Sequence, residues 1–166
     1  MENDHPISTK IISKYPELAE SIKIQREKRI WLKVPYAQFR EFLEFAAADL
    51  KVDIFCMLTG IDDKENYSFI YHMADADGLM LNIETSISKN GELVIKTVTD
   101  MYPAADLQER EVFDLLGIKI DGLKEGKRYP LPDDWPEGEY PLRKDWTQDR
   151  LDKKTPSQQV KEETNA

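Results

Sequence analysis

A single cysteine, Cys56, stands in 166 residues. One thiol excludes an internal disulfide and cannot by itself supply the cysteine set of an iron–sulfur cluster or a structural zinc site. Histidine is almost as scarce. His5 lies near the chain start and His72 in an apolar alternating stretch, with no second histidine at ligand spacing, so packing or solvent accounts for both more simply than a metal does. No glycine run follows the pattern that cradles nucleotide phosphates, and no serine sits in a nucleophile elbow. No apolar run approaches the roughly 20 residues that a membrane-spanning helix needs. The opening Met1–Pro6 lacks the cationic and apolar regions of a secretory signal, which leads to an expectation of a cytoplasmic protein reaching any membrane through partners. Excess positive charge is also missing: the formal net charge is −9, the wrong sign for a nucleic-acid surface.

What remains is a chain with 40% hydrophobic and 33% charged residues, the balance of a globular domain with a core. Ile11, Ile12, Tyr15 and Leu18 suit a short amphipathic helix within Ile7–Leu18, interrupted at Pro16. Strands are expected at Ser21–Gln25 and Arg29–Val34. Pro35 suits the first position of a helix, where its missing N–H costs nothing. Phe39, Phe42, Leu43, Ala46 and Leu50 then recur at helical intervals. The continuous apolar run Ile54–Leu58 reads as a central strand covered on both faces, with Cys56 as a small core residue. A polar turn over Ile61–Asn66, a strand at Tyr67–Met73 and a turn at Asp75–Gly78 follow. Leu79, Leu81, Ile83, Thr85 and Ile87 alternate strictly, and Asn90-Gly91 is a hairpin signal leading into a strand at Leu93–Val98. Pro103 restarts helix, and Ala104–Leu116 is closed by Gly117 as a left-handed stop. The expectation is an α+β fold: a mixed, largely antiparallel sheet with helices on one side.

After Gly117 neither helical nor strand periodicity persists. Pro130, Pro132, Pro136 and Pro141 crowd a stretch that also holds Tyr129, Leu131, Trp135, Tyr140, Leu142 and Trp146. A linker would be polar; large apolar anchors on a proline-stiffened, extended segment imply a surface to be covered. The organisation expected is a body over 1–118, an extended partner-binding arm over 119–146 and a flexible charged tail over 147–166.

Two charged clusters invite functional readings. Glu109, Arg110, Glu111 and Asp114 lie within two helical turns. Glu109, Glu111 and Asp114 could serve an acid–base enzyme, or the cluster could be a charged helix face, with Arg110 and Asp114 paired across one turn or its acids accepting hydrogen bonds from a neighbouring arm. In Pro141-Leu142-Arg143-Lys144-Asp145 the Arg143 fork suits bidentate carboxylate pairing, with Glu111, Asp114 or an acid on another chain as partner; the bland alternative is a solvated charge run. Met73–Gly78 with Glu84 imitates a calcium loop but has Met73 at the first ligand position and strands for flanks, so it reads as a turn.

The stretch Glu109-Arg110-Glu111, two residues, Asp114, two apolar residues, Gly117-Ile118 resembles the signature of the C-type "30 kDa" subunit of NADH:quinone oxidoreductase, respiratory complex I. Trp135-Pro136-Glu137-Gly138 and Pro141–Asp145 resemble that family's second hallmark, and the likeness covers about Ile30 to Trp146. Where complex I members commonly carry a histidine and paired arginines, this chain reads Gly122–Tyr129, similar to the matching subunits of energy-converting membrane-bound hydrogenases and ferredoxin-linked relatives. The resemblance implies a non-catalytic subunit of a peripheral arm on the cytoplasmic side. Its expected partners are the hydrogenase-like large subunit and iron–sulfur subunits, with membrane-arm subunits reached indirectly. It implies no cofactor in this chain; iron–sulfur clusters, and a nickel–iron or quinone site, would belong to partners. Glu109, Arg110, Glu111, Asp114, Gly117 and Pro141–Asp145 become motif or interface residues, with Trp135, Tyr140 and Leu142 as apolar anchors. A stand-alone regulatory binding module is the alternative from another class.

Overall fold

The computed structural model describes residues 5–154; the opening Met1–Asp4 and most of the expected charged tail, 155–166, lie outside them. Helix α1 (Pro6–Lys14) starts on a His5 cap, and Pro16 ends it by opening a 3-10 turn, Pro16–Ser21. Strands β1 (Lys23–Arg26) and β2 (Arg29–Lys33) precede α2 (Tyr36–Ala48), for which Pro35 is the cap rather than the first helical residue. Then come β3 (Ile54–Asp62), β4 (Asn66–Ala74), β5 (Met80–Ser88) and the short β6 (Val94–Lys96). A 3-10 turn at Pro103–Ala105 leads into α3 (Asp106–Leu116), followed by β7 (Lys119–Asp121) and α4 (Gln148–Lys154). Within the stretch where a flexible tail is expected from Thr147, Gln148–Lys154 form a short helix.

The main sheet runs in the order β1-β2-β5-β4-β3. Only β2 and β5 are parallel; the other pairs are antiparallel. Register sets one row of side chains across it: Leu58 opposite Tyr71, Tyr71 opposite Ile83, Ile83 opposite Leu32. This row is buried, and the Phe39 ring of α2 lies 4.5 Å from that of Tyr71. Leu116 and Val112 of α3 press on Gly60, whose position has no room for a Cβ: one would sit 2.7 Å from Leu116 Cδ1. Both helices thus cover the same face, as the alternating patterns of an antiparallel sheet require. The opposite face stays open, and on it Thr59, His72 and Asn82 form a hydrogen-bonded row (3.2 and 2.6 Å) with Trp31 edge-on to His72.

Three expectations are corrected. Ile54–Leu58 belongs to an edge strand, not a central one. Leu58 faces the helices while Ile54 and Met57 face outward, 47% and 53% exposed. Cys56 is exposed at a bulge between Phe55 and Met57 rather than buried in the core. Asn90-Gly91 does form a turn (Gly91 N–H to Ser88 C=O, 3.2 Å), yet no hairpin follows, because β5 already has β4 and β2 on its two sides. With no free edge available there, β6 pairs in parallel with β7 instead. The Asp75–Gly78 turn forms as expected: Asp75 Oδ1 accepts from the N–H groups of Asp77 (2.9 Å) and Leu79 (2.8 Å).

Candidate partner-docking site

Helix α3 and the arm after it carry every residue of the two charged clusters, and the fold sends Glu109, Glu111 and Asp114, three of the four acids of α3, in different directions. Glu109 is fully buried. Its carboxylate accepts from the Thr97 hydroxyl (2.6 Å) and the Val98 N–H (2.7 Å), tying α3 to the loop after β6. Burial pushes its pKa up, only partly opposed by those two donors. Asp114, 1% exposed, faces the arm, where it accepts from Arg128 Nε (2.8 Å) and the Leu131 N–H (3.3 Å). Glu111 points to solvent. Glu109 and Asp114 thus take separate partners, and Glu111 takes solvent.

Arg110 does not pair with Asp114. It turns back one helical turn to grip Asp106 with both fork nitrogens (2.9 and 3.1 Å) and donates to the Lys124 carbonyl (2.8 Å). Its charge and the Asp106 charge hold each other, and Asp106 titrates below the usual carboxylate range because of it. Gly126 lets the arm cross this guanidinium closely, since a Cβ there would lie 2.8 Å from it.

Within the chain, Arg143 takes neither of the two acids expected of it. Neither Glu111 nor Asp114 meets it; it donates to the carbonyls of Leu116 (2.7 Å) and Gly117 (3.5 Å). A cation at a helix C-terminus satisfies orphan carbonyls and complements the dipole. The guanidinium stacks on Tyr140 and Tyr67, 4.4 and 5.5 Å from the ring centroids. Gly117 has φ +70°, and a Cβ on it would lie 2.5 Å from the Tyr140 ring. The left-handed stop and the close approach of the arm both demand glycine here.

The rest of the second cluster fastens the arm to α3 and to the sheet. The Leu142 N–H donates to the Leu115 carbonyl (3.1 Å), and the Lys144 N–H to Asp62 Oδ2 (2.9 Å). Asp62 also holds Lys89 in an ion pair. Burial opposes its ionisation, but Lys89 and the Lys144 N–H together keep its pKa below the ordinary value. Pro141 opens this turn, and Asp145 is 75% exposed near Arg150. Trp135 packs against Trp146, the rings tilted by 31° with centroids 6.2 Å apart, and donates from Nε1 to the Glu139 carbonyl (2.9 Å). Tyr140 and Trp135 are half-buried by the chain's own arm and body; Leu142, 54% exposed, is the anchor that faces outward.

The residues that sequence reasoning left out are Arg128, Asp62, Lys89 and Thr97. Asp62 had a readable signal: it follows Leu58 and Gly60 at strand period, hence on the inward face. Arg128 had none, because its meeting with Asp114 depends on the path of an aperiodic segment. Among the described residues no group of three or more His, Cys, Asp or Glu is placed to hold a metal ion, and no helix is long and apolar enough to cross a membrane.

The family model described as "Respiratory-chain NADH dehydrogenase, 30 Kd subunit" matches residues 32–151. The C-type subunit of the F(420)H(2) dehydrogenase of Methanosarcina mazei is 30% identical over 82% of this chain and 87% of its own length. The beta subunit of the membrane-bound hydrogenase of Pyrococcus furiosus is 26% identical over 87% of each. With the J-type subunit of the NAD(P)H-quinone oxidoreductase of a Synechococcus species the match is 37% identical but spans about half of either chain, 47%. In a solved structure of the membrane-bound sulfane sulfur reductase, an archaeal respiratory membrane complex, one chain superposes with a TM-score of 0.72 at 29% identity, covering 89% of this chain and 88% of that one.

Proposed function

Since the chain belongs to the respiratory-chain NADH dehydrogenase 30 Kd subunit family, whose relatives are subunits of complex I-like and hydrogenase-like membrane complexes, we propose that it is a non-catalytic structural subunit of such an oxidoreductase. It docks on the hydrogenase-like large subunit in the peripheral arm, on the cytoplasmic side. Iron–sulfur subunits are its further neighbours, and membrane-arm subunits are reached indirectly. Redox cofactors sit in those partners, and this subunit keeps the electron-transfer module in the geometry that couples it to ion movement.

One observation carries this reading. The charged motif residues Glu109, Arg110, Asp114 and Arg143 are each engaged with a charge or backbone group of the chain itself, so they build a rigid platform rather than an open reactive cleft. Glu111, exposed on the same helix, and Leu142 remain available to a neighbour. Exposed apolar and charged side chains on a preorganised surface are what a docking face needs, because little ordering entropy is then lost on association.

The test is purification of the complex through a tag on this chain. A hydrogenase-like large subunit in fixed stoichiometry through a salt wash is the expected result. Release of all partners by salt would favour a regulatory binding module, and a well-behaved monomer that is catalytically active alone would refute the proposal. Glu111→Gln is expected to weaken retention of the subunit; retention equal to wild type removes Glu111 from the interface.

A further inference from the structure

Among the described residues, strand β3 has β4 on one side and no strand on the other. In an antiparallel pair every second residue turns its N–H and C=O away from the ladder. Among the described residues no backbone hydrogen bond reaches Met57–Ile61 from the outer side. Proteins normally guard such an edge with lysine, proline, a bulge or a cover. Here the bulge at Cys56 and the Lys144 strap at Asp62 guard only the two ends. Between them the register is unbroken from Met57 opposite His72 to Ile61 opposite Ser68, and Ile54–Asp62 contains no lysine, arginine or proline.

The helix layer overhangs this edge. A groove of about 270 Å³ lies between Met57–Gly60 and α3, bordered by Gln108, Glu111 and Leu142. Gln108 and Glu111 both line it; Gln108 Oε1 is buried with no hydrogen-bond donor, and Glu111 has no ion pair among the described residues. Two acceptors side by side, one of them desolvated, call for a donor that can serve both; the planar fork of arginine does so. On the open side of the sheet the same strand presents Ile54, Met57 and Ile61, 47%, 53% and 39% exposed.

We propose that a partner subunit adds an extended strand to the outer edge of β3. Its side chains alternate: an arginine enters the groove to meet Gln108 and Glu111, and apolar residues lie over Met57 and Ile61. Main-chain pairing supplies affinity and the alternate side chains supply specificity, as in other strand additions. A second copy of this chain is a poor occupant, because its own β3 has no cation to offer the groove. The inference rests on the chain being a subunit of a complex, and names the surface through which it joins.

Amide hydrogen exchange over residues 57–61, compared between the free chain and the complex purified through it, is the test. Exchange slowed at least about tenfold in the complex is expected. Equal exchange in both, with the chain still bound to its partners, overturns the strand addition and leaves the subunit reading intact; co-purification with nothing overturns both. Replacing Cys56 by the photo-crosslinker benzoylphenylalanine, expected to capture an arginine-bearing segment of another subunit, overturns the proposal if the adduct is a second copy of this chain. Glu111→Arg is expected to lower the retained subunit about tenfold while thermal unfolding of the free chain is unchanged, because the charged groove then repels the incoming cation; wild-type retention overturns the arginine assignment.

Discussion

Replacing Asp114 by alanine removes the acid that accepts from Arg128 and Leu131 of the arm. Asp114 is 1% exposed at its side chain, and its partner Arg128 is 22% exposed. Removing one member of a fully buried pair costs roughly 3–5 kcal/mol. Arg128 keeps some water and also donates to the Trp135 carbonyl (2.8 Å), so solvent screens part of that loss. The Leu131 N–H loses its acceptor as well, worth about 1 kcal/mol if water does not fully replace it. The expected destabilisation is about 2–3 kcal/mol, felt first as release of the arm. Two assays read it. Urea unfolding of the isolated chain gives the total, and trypsin cleavage at Lys124 and Lys127 gives the local opening, which should speed up about 30-fold or more if opening precedes cleavage. Asp114→Asn keeps an acceptor for Arg128 and should recover part of the loss. If Asp114→Ala lies within about 0.5 kcal/mol of wild type and the arm is cleaved at the same rate, the arm is not held by this pair.

Other perturbations separate the remaining contacts. Gly117→Ala forces a Cβ into the left-handed region and against the Tyr140 ring; a loss of about 2–4 kcal/mol is expected in thermal unfolding, and a neutral result would mean that the arm can move aside freely. Glu109 has a raised folded pKa, so above the unfolded carboxyl value, about 4.3, the native state binds more protons than the unfolded one. Its contribution to stability therefore declines as pH rises through that window. Glu109→Gln should flatten this decline in denaturant titrations from acid to neutral pH, whereas Glu109→Ala, which strands the Val98 N–H, should cost about 1–3 kcal/mol. Asp62 behaves oppositely: its folded pKa is lowered, so its stabilisation is complete above the unfolded value near 3.9 and is lost as pH falls through the folded one. Asp62→Asn should weaken the acid limb of the stability profile, and an unchanged profile would remove Lys89 and the Lys144 strap as its cause.

Local patterns had already identified much of this molecule. The helical spacing of Phe39, Phe42, Leu43 and Ala46 marked α2 and its buried stripe, strict alternation from Leu79 to Ile87 marked β5, and Gly117 marked the end of α3. These signals are legible because they arise from the chain's own periodicity: burying one face of a helix or strand dictates every third to fourth or every second residue. The two charged motifs pointed to the family for the same reason, as they are contiguous in the chain.

Tertiary structure decided what periodicity cannot encode. Whether an apolar strand is central or at an edge depends on which other strands compete for its sides, and β2 took the place beside β5 that left β3 outside. The same competition denied β6 its hairpin and sent it to β7. The partners of Asp114, Arg143 and Asp62 come from segments distant along the chain, with no repeat to announce them. Sequence thus determined which faces must be covered; only the folded chain determined what covers each, because pairing between remote segments is chosen by the free energy of the whole arrangement and not by any one stretch.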